Sequence, residues 1–395
     1  MKVRDCFELN PLKNKNTFKG FINYIDTSSV QNGTLINVSF LENEFPSRAQ
    51  RIVKYNDILY SSVRPNLRHY YLYQDDFEHA VASTGFVLLR RKNNCNVKFI
   101  FYYLSTNEVV QHLSNIAEMS QSTFPSFSSK DLGKIDLPMI DEYKQKSIVD
   151  ILACYDSLID NNNKRIKVLE QMAEHLYKEW FVRFRFPGHE NTEFENGIPK
   201  GWNYFKFSTV YKTIRGVSYT SEEIDCDTGE NLINLKNIKA FGGFRKDGTK
   251  KYCGRFKQEQ VVRKNDLVMG VTDMTQDRRT VGSVALVPDI EGVISADLIL
   301  LKSSLSNIFS YYLIKAGGYS RLFSEFGNGA NVIHLKPGQI NNQKILIPSV
   351  DTINQFVKIV DKIINQINAL EQKNDNLSKQ RDLLLPRLMS GKLEV

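Results

Sequence analysis

The segment Ser61-Ser62-Val63-Arg64-Pro65-Asn66-Leu67-Arg68-His69 places two guanidinium groups, an amide and an imidazole on one short loop. A guanidinium fork matches phosphate oxygens and a guanine edge, and an Asn amide matches an adenine edge. Arg64, Asn66, Arg68 and His69 are therefore candidates for contact with DNA, set against a plain turn whose Arg residues pair with Asp75 and Asp76. A second segment, Thr272-Asp273-Met274-Thr275-Gln276-Asp277-Arg278-Arg279, offers Thr272, Thr275, Gln276, Arg278 and Arg279, a different order of hydroxyl, amide and guanidinium groups. Between them, residues 236–264 carry ten Lys and Arg against Asp247 and Glu259, a net charge of +8 (10 − 2). Arg245, Lys246, Lys250 and Lys251 lie in that stretch and would serve as a phosphate clamp; the alternative is a solvated hairpin face.

Other chemistries find no support in the residues. His69, His79, His112, His175, His189 and His334 have no acid or cysteine partners at metal-ligand spacing. Asp-Pro-Pro-Tyr, Phe-x-Gly-x-Gly and Gly-x-x-x-x-Gly-Lys-Ser/Thr are all missing, which argues against methyl transfer and nucleotide hydrolysis in this chain. Pro288-Asp289 lacks the following Glu-x-Lys of a nuclease site. Gly327-Asn328-Gly329 reads as a turn, with a phosphate cradle as the weaker alternative. Cys6, Cys95, Cys154, Cys226 and Cys253 are odd in number and far apart, and are read as reduced thiols of a cytoplasmic protein. No apolar run approaches the roughly 20 residues of a membrane span. The 395 residues, 42% hydrophobic and 24% charged, suit a folded chain of two or three domains, and the net charge of +8 suits a polyanionic partner.

The elements that must position these groups occur twice. Asn56-Asp57-Ile58-Leu59 returns as Asn265-Asp266-Leu267-Val268, and Tyr102-Tyr103-Leu104 as Tyr311-Tyr312-Leu313, both at an offset of 209. Ile135-Asp136-Leu137-Pro138 returns as Ile345-Leu346-Ile347-Pro348, and Asp141 as Asp351, at 210. Short apolar runs such as Phe86-Val87-Leu88-Leu89 and Leu298-Ile299-Leu300-Leu301 predict strands, and segments 99–119 and 307–325 carry helical spacing. Each half therefore reads as one globular unit followed by one long helix.

The long helices have the strongest periodicity. Ile148, Leu152, Tyr155, Ile159, Asn162, Ile166, Leu169, Ala173, Leu176 and Trp180 alternate steps of four and three. Ile353, Phe356, Val360, Ile363, Ile367, Leu370, Asn374, Leu377, Arg381 and Leu384 keep the same steps. A period of 3.5 predicts a coiled coil, and Asn162, Asn374 and Arg381 would fix its register. Asp141 and Asp351 suit helix N-caps, and Pro187-Gly188 and Pro386 suit the ends. Trp180, Phe181, Phe184 and Phe186 read as packing at the foot of the helix rather than a docking patch. The expected fold is α+β: two pseudo-repeated α/β units, 1–141 and 187–350, separated by long helices 142–186 and 351–385 packed as an antiparallel coiled coil, with a tail at 386–395.

Three further stretches carry a resemblance. They are Gln171-Met172-Ala173-Glu174-His175-Leu176-Tyr177-Lys178-Glu179-Trp180-Phe181-Val182-Arg183-Phe184-Arg185-Phe186-Pro187-Gly188, Gly197-Ile198-Pro199-Lys200-Gly201-Trp202, and Leu383-Leu384-Leu385-Pro386-Arg387-Leu388-Met389-Ser390-Gly391. With them the whole chain resembles the specificity subunits of type I restriction-modification systems. The first half departs from the pattern in lacking a Gly-Ile-Pro-x-Gly-Trp lead; Lys2 aligns with Lys206. The resemblance implies two target-recognition domains, each reading one half of a split site in double-stranded DNA. It implies docking of two modification (methyltransferase) subunits and of restriction (translocase and nuclease) subunits. S-adenosylmethionine, ATP and magnesium would belong to those partners, leaving this chain noncatalytic and without a cofactor. A coiled-coil protein-binding scaffold, or a diverged self-sufficient methyltransferase or nuclease, is the competing expectation.

Overall fold

The Asn-Asp anchors are turns that launch the central strand of each half. Asn56 and Asn265 adopt left-handed backbone at φ 65° and 66°, which Asn tolerates better than most residues. The next residue closes each turn: Asp57 accepts from the Lys54 amide at 2.7 Å, and Asp266 from the Arg263 amide at 2.9 Å. Each carboxylate also takes a cation from the neighbouring strand, Arg90 in two hydrogen bonds of 3.0 and 2.6 Å, and Lys302 at 2.8 Å. The repeated dipeptide thus marks one recurring piece of architecture.

The structure is a computed structural model that describes residues 1–11, 18, 20–120, 124–224, 226–275 and 277–393. Two units are distinct, Met1–Asn162 with Gln372–Val395, and Asn163–Glu371. In unit 1 the strands of the two four-stranded sheets are β1 (Phe7–Leu9), β2 (Phe21–Ile25), β3 (Ser39–Glu42), β4 (Ala49–Ile52), β5 (Ile58–Ser61), β6 (Tyr70–Leu72), β7 (Ala80–Ser83) and β8 (Phe86–Arg91). They form an antiparallel sheet β1-β8-β5-β6 and a sheet β3-β2-β7-β4 whose β2-β7 pair is parallel. In unit 2 they are β9 (Lys212–Arg215), β10 (Glu230–Ile233), β11 (Lys250–Tyr252), β12 (Val261–Val262), β13 (Leu267–Gly270), β14 (Val284–Leu286), β15 (Gly292–Ile294) and β16 (Leu298–Lys302). Their sheets, β9-β16-β13-β14 and β11-β10-β15-β12 with β10-β15 parallel, repeat the order of unit 1 strand for strand.

The central strands are apolar on both faces because each face meets a different layer. Ile58, Tyr60, Val87 and Leu89 point into a core shared with Ile148, Leu152, Leu385, Leu388 and Met389 of the long helices. Alternate residues Leu59, Phe86 and Leu88 point into a second core with Ile25, Val53, Ala80 and Ala82 of the other sheet. Unit 2 splits in the same way, Leu267, Met269, Ile299 and Leu301 to one core and Val268, Leu298 and Leu300 to the other. This is the period-2 rule applied to a sheet buried on both sides. The helical segments resolve into Val97–Leu104 with Asn107–Glu118, and Asn307–Ala316 with Tyr319–Glu325.

The first long helix runs Glu142–Tyr177 and the second Val350–Met389. Every position of both predicted seams is buried or half-buried. Within unit 1, Asn162 donates to Asn374 at 2.8 Å and Arg381 to Asp156 at 2.7 Å, an antiparallel order. Within unit 2, Tyr177, Trp180 and Phe181 pack on Phe356.

Four sequence expectations need correction. The first helix ends before Pro187: a π-helical turn, Lys178–Val182, widens its last turn so that Trp180, Phe181 and Phe186 enter the core with Trp202. Asp351 lies inside the second helix, and Ser349 caps it by accepting from the Thr352 amide at 3.3 Å. Pro386 does not end that helix, which continues to Met389; Leu385, Leu388 and Met389 are buried, and that burial offsets the roughly 3 kcal/mol cost of an interior Pro. Cys226 and Cys253 are joined as a disulfide while Cys6, Cys95 and Cys154 are free. Antiparallel pairing of Glu230 with Tyr252 brings two cysteines 27 residues apart into reach, which spacing alone did not reveal.

Candidate nucleic-acid interface

In unit 1 the loop after β5 is built around a 3-10 turn, Pro65–Leu67, bounded by Arg64 and Arg68 in left-handed backbone at φ 48° and 56°. This geometry leaves Arg64 and Asn66 exposed and turns Arg68 and His69 partly inward. The Arg64 guanidinium lies 5.5 Å from the centre of the exposed Phe124 ring, which steadies it without neutralising its charge. Arg68 donates to Asn107 and, at 3.4 Å, to the Tyr70 hydroxyl. Burial pushes the His69 imidazole below its ordinary value, against the pull of Asp26. Asp75 takes its hydrogen bond from Tyr71 at 2.6 Å, not from Arg64 or Arg68.

In unit 2 the corresponding loop divides its residues between scaffold and surface. Thr272 is buried and donates to Asp297 at 3.0 Å. Asp273 is buried and accepts from the amide and hydroxyl of Thr275 at 2.7 and 2.8 Å and from those of Thr280 at the same distances. Burial opposes ionisation of Asp273, but those donors prevail and hold its carboxyl below the usual range. Arg278 donates to the carbonyls of Ser324 and Glu325 at 3.1 and 3.3 Å, where it caps the C-terminus of the helix Tyr319–Glu325. Thr275 and Arg279 are exposed, with Arg279 paired to Asp277. Gln276 lies outside the described residues.

The basic stretch is a loop followed by β11. Arg245 is exposed, 3.1 Å from Asp247, and Lys246 is 3.8 Å from Glu371. Lys251 donates to Asn231 at 3.2 Å, and Lys250 is half-buried on β11. Such exposed pairs contribute little to stability. The loop at its head meets the other candidate segment: the Phe241 amide donates to the Arg279 carbonyl at 2.8 Å. The fold thus joins residues 239–245 to 272–279, a junction that sequence separation hides. Phe241, at this junction, is an aromatic residue before Gly242-Gly243 inside the basic run. The Gly327-Asn328-Gly329 segment is not a turn: Asn328 forms an isolated antiparallel bridge with His334, the two exchanging backbone hydrogen bonds of 3.0 and 2.9 Å. Among the described residues no cluster of three His, Cys, Asp or Glu could hold a metal ion, and no helix is long and apolar enough to cross a membrane.

Residues 1–171 match the type I restriction modification DNA specificity domain. The MjaIX specificity subunit of a type I restriction enzyme from Methanocaldococcus jannaschii is 25% identical over 79% of this chain and 72% of its own length. The HindI specificity subunit from Haemophilus influenzae is 23% identical over 94% of this chain and 95% of its own. The chain is thus similar to type I restriction enzyme specificity subunits, through the domain match over residues 1–171 and through relatives that span most of its length. A crystal structure of a type I restriction-modification system S subunit from M. genitalium covers 98% of this chain and 95% of its own, at 14% identity and a TM-score of 0.49.

Proposed function

We propose that this chain is the specificity subunit of a type I restriction-modification system and reads a bipartite, asymmetric site in double-stranded DNA, one half-site per globular unit, with the long helices setting the gap between half-sites. The observation that carries the reading is one strand order presented twice with unlike loops, Arg64 and Asn66 in unit 1 against residues 239–245 and 272–279 in unit 2. A repeated scaffold with different donors at its tips suits two different half-sites. In this reading Arg64, Asn66, Thr275, Gln276 and Arg279 supply base or phosphate contacts. Arg245, Lys246, Lys250 and Lys251 hold phosphates, and Arg68, His69, Thr272 and Arg278 shape the loops. Residues 1–141 and 187–350 are the two target-recognition domains.

The chain would position adenine-methylating modification subunits and, through them, ATP-dependent restriction subunits. S-adenosylmethionine, ATP and magnesium would be bound by those partners in the cytoplasm. The test is to combine the purified chain with its modification subunit and S-adenosylmethionine, then map methylated adenines across a genome. A split motif with a fixed gap, present only when this chain is added, is the expected result. Methylation at a continuous site, or a map unchanged without this chain, would favour the scaffold or a self-sufficient enzyme.

A further inference from the structure

The loop at residues 239–245 holds an aromatic ring where the fold gains nothing from it. Phe241 is 67% exposed, and its backbone lies in the left-handed region at φ 63°. An exposed ring forgoes the benefit of burial, and left-handed backbone is costly for a bulky side chain. Gly at this position would avoid both costs. The backbone beneath the ring is nevertheless fixed on every side. Phe241 donates to the Arg279 carbonyl at 2.8 Å, Gly242 to that of Lys239 at 3.0 Å, Gly243 to that of Val284 at 2.9 Å, and Lys239 to that of Gly243 at 2.9 Å. The next two residues, Gly242 and Gly243, have φ of 106° and 110°, which only glycine adopts readily, so the tip has one shape. Lys239, Arg245 and Arg279 are exposed on the same loop and on the segment bonded to it. Backbone strain that the surroundings maintain points to function, and a rigidly presented ring among cations has the chemistry of a nucleic-acid contact.

We propose that Phe241 is a DNA-contacting residue of unit 2, its ring stacking on or wedging between bases of the half-site while Lys239, Arg245 and Arg279 hold the flanking phosphates. The inference rests on the reading of this chain as the DNA reader and adds to it a contact through base faces. Such a contact depends on how easily a base step unstacks, so Phe241 would contribute specificity without a hydrogen bond to any base edge.

The test uses the full-length chain and a pool of short duplexes enriched from random sequence on the wild-type protein. Phe241→Gly is expected to keep or raise the thermal midpoint while weakening duplex binding about tenfold, the scale of one base–aromatic stack. Its slope of log affinity against log salt should stay at the wild-type value, because no phosphate contact is lost. Phe241→Trp should retain affinity, and Lys239→Ala should lower the salt slope by about one. Wild-type affinity in Phe241→Gly, or a fall in thermal midpoint together with affinity, would overturn the aromatic contact while leaving the DNA reader in place. A wild-type chain that enriches no duplex even at low salt would overturn the reader itself, and this inference with it.

Discussion

At the scale of single residues, neighbours decide which candidates are free to act. Arg278 and Arg279 are adjacent and chemically identical, yet the first is spent on the carbonyls of Ser324 and Glu325 and the second is exposed. Arg278→Ala should therefore cost about 1–2 kcal/mol of stability and leave the salt slope of DNA binding alone, while Arg279→Ala should do the reverse. Urea midpoints and binding titrations on both variants check the pair. Asp273 gives a prediction with a defined sign. Its folded pKa lies below the unfolded value, so its stabilising contribution is fully present above about pH 4 and is lost as pH falls through the folded value. Asp273→Asn should be less stable than wild type at pH 7, with the gap narrowing below about pH 4. A gap that stays constant down to pH 2 in urea titrations would contradict the linkage.

At the scale of elements, the polar seam residues report how the helix pair chooses its register. Asp156 accepts from Arg381 at 2.7 Å and from the Tyr102 hydroxyl at 2.5 Å, so one carboxylate ties both helices to the head of unit 1. Arg381 has a side chain 15% exposed, and although burial opposes its charge, Asp156 and Asp382 outweigh that and hold it more firmly protonated than usual. Arg381→Met leaves Asp156 partly buried and without its cation, with the Tyr102 hydroxyl still donating to it. Its cost should fall between the ~1 kcal/mol of an exposed pair and the ~3 kcal/mol of a buried one, read by thermal denaturation. Asn162 and Asn374 face each other in the same seam. Replacing both by Leu should raise the thermal midpoint and broaden the allowed register, because Leu packs without needing one particular partner. Cysteine pairs placed at adjacent seam positions would detect the broadening as more than one cross-linked product.

At the scale of the whole molecule, the sequence repeat and the strand order describe the same object. The salt dependence of duplex binding is the simplest check on that object as a DNA reader: log affinity should fall linearly with log salt, at about 0.9 per phosphate contact. A salt-independent association would favour a protein-binding scaffold. The twofold pattern was legible in the chain because its anchors are local: a left-handed Asn, an Asp closing the turn at i−3, and alternating apolar residues need only their near neighbours. The helix seams were legible for the same reason, since a 3.5-residue period is written into consecutive residues. Helix ends were less so, because the π-helical turn at Lys178–Val182 and the passage through Pro386 are imposed by Trp202 and by the core that buries Leu388. The Cys226–Cys253 bond and the Phe241–Arg279 junction were invisible, since the first depends on pairing of distant strands and the second on a hydrogen bond between distant loops. The sequence by itself determined the two halves, their long helices and the class of chemistry at their loops, all of which follow from short-range pattern and side-chain type. Only the tertiary structure decided which of those side chains are exposed, because burial and hydrogen bonding depend on partners that the chain brings from far away.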